Sequence, residues 1–161
     1  MDKKDFKLLF DTYFESIKNY IFYRIGDIDI ATDLAQDVFV KIWEKQLDLD
    51  PGHAKYLLYK IAKDLLVSKY RRQEVENKYI NRMQFQLTEE YTDGEFDYKQ
   101  LKIRYESALQ KLPEKQRTVF MMSRMEELKY TEIAQLLDIS IKTVEKRMSN
   151  ALFYLRKALA V

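Results

Sequence analysis

The chain has 161 residues, of which 47% are hydrophobic and 34% are charged, and its formal net charge is +2. That apolar content supports packed cores, and three glycines and two prolines favour long helices over a many-turned β fold. The lack of cysteine excludes disulfides and thiolate sites, and the single histidine, His53, leaves no histidine cluster for zinc. There is neither a long apolar run nor a signal-peptide pattern, so we expect a cytoplasmic protein without direct membrane insertion.

The charges are grouped in blocks along the chain. Residues 1–50 carry seven basic and eleven acidic side chains, a net of −4, and residues 53–72 carry six and one, a net of +5. Residues 86–97 hold five acidic and no basic side chains, whereas residues 140–161 hold five basic and one acidic. Two basic blocks separated by an acidic block suggest two contact zones for anions on one molecule. Ordinary solvated helix faces are the alternative.

Apolar residues recur at helical spacing in three segments of the N-terminal half. A first helix is predicted over residues 5–25, and Gly26 is predicted to end it. A second helix is predicted over about 30–46 and a third over about 54–71, with a break at Pro51-Gly52 between them. The inward side of the second helix carries Ala31, Leu34, Ala35, Val38, Phe39 and Ile42. These amphipathic helices predict a small bundle.

Helical periodicity weakens after the third helix. Residues 73–103, where acidic residues accumulate, are predicted to form a linker of 31 residues. Helical spacing then resumes, and Pro113 is predicted to start a new helix. The predicted fold class is therefore all-α, with two small helical domains, residues 1–72 and 104–161, joined by the linker.

Residues 130–159 have the pattern of a helix-turn-helix. Residues 130–138 predict a short amphipathic helix, Ile139-Ser140 the turn, and Ser140 a cap for the helix that follows. Opposite or beside the apolar side of that helix lies a set that we call the reading face: Lys142, Thr143, Lys146, Arg147 and Asn150. Basic groups near a helix N-terminus oppose the macrodipole, and an anionic partner such as DNA removes the conflict. The N-terminal part of such a helix contacts base edges. A solvated helix in an ordinary α-hairpin is the alternative.

The second predicted helix carries polar groups away from its apolar side. We call this set the acidic track: Asp33, Gln36, Asp37, Val40 and Glu44. No third ligand accompanies the two aspartates, so a metal or catalytic pair is not expected. The track is either a solvated face or a surface that steers a basic partner electrostatically.

The third predicted helix interleaves rings with positive charges. We call this set the aromatic-basic face: Tyr56, Tyr59, Lys60, Lys63, Val67, Tyr70 and Arg71. Such a face suits single-stranded nucleic acid, because bases stack on rings while cations hold phosphates. Packing of the tyrosines on neighbouring loops is the alternative.

These motifs resemble the sigma-70 family of transcription initiation factors, in its short extracytoplasmic-function form. The C-terminal half is similar to the domain that reads the promoter −35 element, through Leu112-Pro113, Arg117, Glu132-Ile133-Ala134, Ile139-Ser140, Thr143-Val144 and residues 151–156. The second helix resembles the family's polymerase-clamp helix through Asp33, Gln36, Asp37, Phe39 and Trp43. The third resembles the −10-recognition helix over residues 56–64. Asp64, Ser68 and Asp138 depart from the family's usual Asn, Asp and Gly, and residues 127–129 from its Gly-Leu-Ser.

The resemblance implies a role for each surface. The reading face, supported by Arg117, would contact the −35 element through a winged-helix-like helix-turn-helix domain, and the aromatic-basic face with Asp64 would contact the −10 single strand. The acidic track would bind core RNA polymerase, whose clamp and flap are the expected partners beside promoter DNA. An anti-sigma factor is expected as well, and could hold the chain at the inner membrane. No catalytic step, cofactor, metal or small-molecule substrate is implied.

Two other functions remain open at this point. A stand-alone operator-binding regulator would use the helix-turn-helix alone and would bind duplex DNA without polymerase, most readily as a dimer on half-sites. A helical interaction protein would carry the basic faces incidentally. Transcription assays with core polymerase separate these alternatives.

Overall fold

The computed structural model describes residues 1–47, 49–50, 52–74 and 96–160, with the side chains of 70–74 and 96 excepted. Within these ranges the regular structure is entirely α-helical, which confirms the predicted fold class. The helices are α1 Lys3–Ile25, α2 Ile28–Lys45, α3 Ala54–Glu74, α4 Phe96–Lys111, α5 Glu114–Met125, α6 Tyr130–Leu137 and α7 Ile141–Leu159. None of these described helices is long and apolar enough to cross a membrane.

Helices α1, α2 and α3 form the N-terminal bundle. As predicted, α1 ends at Gly26, whose φ of 73° is left-handed and whose N–H donates to the Phe22 carbonyl at 2.7 Å. Asp27 then caps α2 by accepting from the backbone N–H of Asp29 and Ile30. The predicted inward side of α2 is confirmed, because all six of its side chains are buried.

An aromatic cluster joins α1 to α2. The Phe39 ring lies 5.1 Å from the ring of Phe10 and 6.4 Å from that of Phe6, measured between centroids. The Trp43 ring lies 5.1 Å from Phe6. Phe39 and Trp43 therefore hold α2 on α1, which fixes the direction in which the acidic track points.

Helices α5, α6 and α7 form the predicted helix-turn-helix domain, and α4 packs against α7. Pro113 precedes the first residue of α5, as predicted. Asp138 ends α6 with φ 54° and ψ 51°, so the aspartate adopts the left-handed turn conformation expected of it. The next residue, Ile139, donates its N–H to the Ala134 carbonyl at 3.0 Å. Residues 96–160 contain no strand, so no β-hairpin wing accompanies the helices there.

The predicted linker is too long at its C-terminal end. Residues 96–103 are helical and form the first half of α4, whereas residues 75–95 lie outside the described part of the chain. Leu101 and Ile103 are exposed, so this half of α4 buries no continuous apolar stripe that periodicity could reveal. Asp97 lies in the first turn, where its negative charge favours helix formation.

The two domains pack directly against each other. Helix α1 lies on α5, and α3 lies on α6. Sequence patterns did not indicate this contact, and it determines which predicted site residues are accessible.

Candidate nucleic-acid interface

The reading face lies on the first three turns of α7. Lys142, Lys146 and Asn150 are exposed, whereas Thr143 and Arg147 are partly buried. Ser140 caps the helix as predicted, because its Oγ accepts from the Thr143 N–H at 3.1 Å. The same Oγ lies 2.8 Å from the Thr143 hydroxyl, which fixes that side chain at the start of the face.

The charges of α7 give the face its electrostatic character. The first turn contains no acidic residue, so nothing there offsets Lys142 next to the positive end of the helix dipole. The last turn holds Arg156 and Lys157, where positive charge is favourable. The helix therefore carries cations at both ends, and only those at the N-terminal end work against its own stability.

At the start of α6 the chain has Lys129 where the family that it resembles commonly has a capping serine. Lys129 precedes the helix and forms no side-chain cap, and Glu127 takes a left-handed φ of 53°. Glu132 compensates, because its Oε1 accepts from the Lys129 backbone N–H at 3.2 Å. A hydrogen bond to Glu132 thus takes the place of the serine cap at the start of α6.

On α3 the aromatic-basic face is only partly exposed. Lys60, Lys63 and Asp64 are exposed, and Val67 is half-buried. Tyr56 is 41% exposed, and its hydroxyl donates to Gln135 Oε1 on α6 at 3.1 Å. The side chains predicted at 70 and 71 lie outside those described.

Tyr59 does not lie on this exposed surface. It is 3% exposed, and its ring centroid is 5.2 Å from that of Tyr20 on α1. Burial, and then the negative charge of Glu126, raise the pKa of the Tyr59 hydroxyl well above its usual value. The prediction of an accessible Tyr59 is wrong for this conformation, because α3 buries a second side against α1 and α6 in addition to its apolar stripe.

Arg117, predicted to support contact with the −35 element, is also inaccessible to DNA in this conformation. The side chain is 1% exposed. Its Nε donates to the Tyr23 carbonyl and its Nη2 to the Arg24 carbonyl, both at 2.7 Å. Its Nη1 lies within 3.4 Å of two carbonyls of its own domain, those of Gln110 and Leu112. The guanidinium therefore connects α5 to the end of α1 instead of facing solvent.

Further polar contacts join α1 to α5 and to Glu126, the residue that follows α5. Glu126 Oε1 accepts from Asn19 Nδ2 at 2.9 Å and from the Tyr23 hydroxyl at 2.7 Å. Burial, followed by this hydrogen bond and the Glu126 charge, raises the pKa of Tyr23. Arg24 Nε lies 2.5 Å from Glu114 Oε1. Burial tends to lower the pKa of Arg24, but Tyr20 and Glu114 outweigh it and leave that pKa raised.

A basic cleft of about 290 Å³ lies between the domains. Lys63 and Val67 of the aromatic-basic face line one side, and Arg147 of the reading face lines the other. Arg24 and Lys115 add positive charge at the same place. The two predicted DNA-contacting faces thus partly face each other.

The acidic track on α2 lies on the surface as predicted. Asp33, Gln36, Val40 and Glu44 are exposed. Asp37 is half-exposed, and its Oδ2 lies 2.5 Å from the Lys69 ammonium of α3. The track is therefore accessible while the two domains are packed together, and one of its carboxylates is already paired.

The sequence patterns missed an apolar groove on the C-terminal domain. It has a volume of about 490 Å³ and lies between α4, α5 and α7. Its lining residues are Tyr105, Phe120, Arg124, Leu152, Leu155, Arg156, Leu159 and Ala160. One feature of the sequence could have revealed the groove. Apolar residues continue to the end of α7, beyond the length that a short helix-turn-helix needs.

Together, the capped N-terminal end of α7, its unopposed cations and the αL turn define a helix-turn-helix protein of the DNA-binding class. Comparison with known proteins then identifies its family. The family description "Sigma-70 region 2" matches residues 9–75, and "Sigma-70, region 4" matches residues 102–152.

Similar proteins agree with these matches. The chain is 30% identical over 155 residues to the RNA polymerase sigma factor YlaC of Bacillus subtilis, covering 92% of this chain and 88% of that protein. It is 26% identical over 151 residues to the ferric citrate uptake sigma factor FecI of Escherichia coli, covering 91% and 86%. The fold also matches the sigma factor RpoE solved with the anti-sigma factor NepR from Bartonella quintana, with a TM-score of 0.67, 23% identity and 98% coverage of both chains. The chain belongs to the sigma-70 family, and within it to the extracytoplasmic-function group of RNA polymerase sigma factors.

Proposed function

We propose that this sigma factor binds core RNA polymerase, mainly through residues 1–72, and brings two DNA-contacting surfaces to a promoter. This proposal rests on one observation. Cationic surfaces lie on two different helical domains, and an acidic track is exposed separately from both. A lone reading helix offers few base contacts, each contributing roughly 1–3 kcal/mol of discrimination. Two modest modules on one chain gain from effective concentration when both reach their sites.

The reading face is proposed to contact the −35 element. Lys142, Lys146 and Asn150 are exposed on the turns of α7 that would enter the major groove. Lysine and asparagine pair well with guanine and adenine respectively, and Thr143 offers a methyl group to thymine. Arg147 and Arg117 would join this surface once the domains separate.

The aromatic-basic face is proposed to bind the melted −10 strand. Lys60 and Lys63 are available to phosphates, and Tyr56 is exposed enough to stack on a base. Tyr59 would join them only if separation of the domains uncovers it. Asp64 lies among these cations and is proposed to accept a hydrogen bond from a base instead of holding phosphate.

Two surfaces are proposed to bind the polymerase. The acidic track would meet a basic region of the largest-subunit clamp, where complementary charge speeds association. The groove formed by Tyr105, Phe120 and Leu152, with Arg124 and Arg156 at its edges, is proposed to accept an apolar segment of the flap. The chain would catalyse no covalent step, since the polymerase performs that chemistry.

The proposed setting is the cytoplasm, with an anti-sigma factor as a further partner. That partner is proposed by analogy with the anti-sigma factor in the complex of the similar RpoE structure. It would act by covering surfaces that the polymerase needs.

Transcription from a linear promoter library tests the function directly. Core polymerase with this chain is expected to give promoter-dependent transcripts that core alone does not give. Mobility shifts that need no polymerase, without such transcripts, would instead support a stand-alone operator-binding regulator. If neither transcripts nor mobility shifts are observed, the remaining explanation is a helical interaction protein.

A further inference from the structure

The exposed side of α7 carries two parallel rows of side chains, each made of residues four apart in the sequence. The first row belongs to the reading face: Lys142, Lys146 and Asn150. We call the other one the second row: Ile141, Glu145 and Ser149. The two rows lie side by side, because residues three and four apart are neighbours on a helix surface. All six of these side chains are exposed.

The two rows differ in what they can bind. The first row carries ammonium groups, which suit phosphate as well as bases. The second row offers no cation, and the carboxylate of Glu145 is repelled by phosphate. It does suit base edges, because an aliphatic side chain such as Ile141 packs on a thymine methyl group and a carboxylate accepts from the cytosine amino group. The second row is therefore better fitted to bases than to the DNA backbone.

Glu145 is the one acidic residue of α7, and no local role explains it. None of the ion pairs between described residues includes it, although Lys142 lies three residues before it. It also follows the first turn, where a negative charge would offset the positive end of the helix dipole. A carboxylate at this place lowers the affinity of a cationic surface for DNA, unless a base supplies a hydrogen-bond donor.

We propose that Glu145 determines base specificity, because its carboxylate accepts a hydrogen bond from the N4 amino group of a cytosine in the −35 element. This inference rests on the proposed function and deepens it. At the same position guanine or thymine would present only acceptors in the major groove, and the carboxylate would be left unpaired. Adenine has an amino group, but its N7 acceptor lies beside it. The carboxylate thus discriminates mainly by rejecting wrong bases.

Selection of promoter sequences by the polymerase tests this role. Core polymerase with this chain is mixed with a linear duplex library randomised through the promoter region, and the bound sequences are counted. Glu145→Ala and Glu145→Gln are the two variants. Glu106→Gln is the matched control, because it removes the same charge from α4, outside the helix-turn-helix, where Glu106 pairs with Lys102. Thermal unfolding shows whether each variant keeps its fold.

We expect the natural chain to select a C·G pair at one position of the upstream element. Glu145→Ala should lose this preference by about tenfold at that position alone, which is within the range that one base contact contributes. Glu145→Gln should move the preference toward A·T, because an amide pairs with N6 and N7 of adenine. Both variants should bind random-sequence duplex more tightly, since the repulsion of phosphate is gone. Glu106→Gln should leave every base preference unchanged.

Three results would overturn the role of Glu145. The first is a Glu145→Ala protein that folds and has the base preferences of the natural chain at every position. The second is a loss of preference confined to A·T pairs. The third is an equal loss in Glu106→Gln, which would reveal a general effect of charge. The proposed function fails differently, because the polymerase with the natural chain would then enrich no sequence at all, and the role of Glu145 would fall with it.

Discussion

Lys142→Ala should make the protein more stable while it weakens promoter recognition. Lys142 is the second residue of α7, is exposed, and lies in a first turn with no acidic side chain. Removal of a cation from a helix N-terminus contributes about 0.3–1 kcal/mol. Alanine's slightly better helix propensity acts in the same direction. The free energy of unfolding should therefore rise by about 0.5 kcal/mol.

The DNA-binding effect of Lys142→Ala has the opposite sign. Loss of one base contact costs roughly 1–3 kcal/mol, and loss of one phosphate contact lowers the slope of log affinity against log salt by about 0.9. Binding of the polymerase complex to promoter duplex should be measured across a salt series, and stability by urea unfolding of the free chain. Binding to core polymerase alone should be unchanged.

Lys157→Ala is the matched control, because it makes the same substitution at the other end of the same helix. Lys157 lies in the last turn of α7, where its charge favours the helix, so its loss should lower stability by a few tenths of a kcal/mol. Promoter affinity should not depend on it. A destabilised Lys142→Ala protein would refute the argument from the helix dipole. Equal promoter binding by both variants would refute the assignment of the reading face.

Three further predictions address the fold and the polymerase surface. Because native Tyr59 keeps its proton above about pH 10 while the unfolded chain releases it, rising pH favours unfolding. Above about pH 10 the free energy of unfolding of Tyr59→Phe should fall less steeply with pH, by about 1.4 kcal/mol per pH unit. Urea unfolding at a series of pH values measures this dependence, and an unchanged dependence on pH would contradict the prediction. Ser140→Ala should lower the free energy of unfolding by about 1 kcal/mol, because α7 loses its cap. Ser149→Ala, on the exposed side of α7, should change it by no more than about 0.5 kcal/mol. Equal losses of stability in thermal unfolding would count against the cap. Asp33→Asn combined with Glu44→Gln should slow association with core polymerase most strongly at low salt without changing helicity, and a salt-independent association rate would argue against the acidic track.

Local structure was largely predictable from the sequence. Gly26 ended α1, Ser140 capped α7 and Asp138 took a left-handed turn, because each depends on a few neighbouring residues. The buried side of α2 was equally clear, since one apolar stripe packs on one neighbouring helix.

The arrangement of the domains was not predictable, and the errors on the site follow from it. A helical wheel shows the apolar stripe of α3 but not a second buried side, which accounts for Tyr59. Arginine is mostly exposed, so an arginine buried against the carbonyl groups of another domain leaves no trace in the periodicity. The start of α4 at Phe96 was not predicted for a related reason, because the first half of this helix buries few side chains.

The hydrogen bonds from Arg117 to the last carbonyl groups of α1 also affect how the chain folds. The end of α1 is more stable while the other domain is docked, because two of its carbonyl groups accept from Arg117, so local opening of α1 and undocking of α5 are coupled. Thermal unfolding should then follow a single cooperative transition instead of two. A chimera that joins the first domain of this chain to the second domain of a relative would lose these two hydrogen bonds unless the end of α1 and its arginine partner are exchanged together.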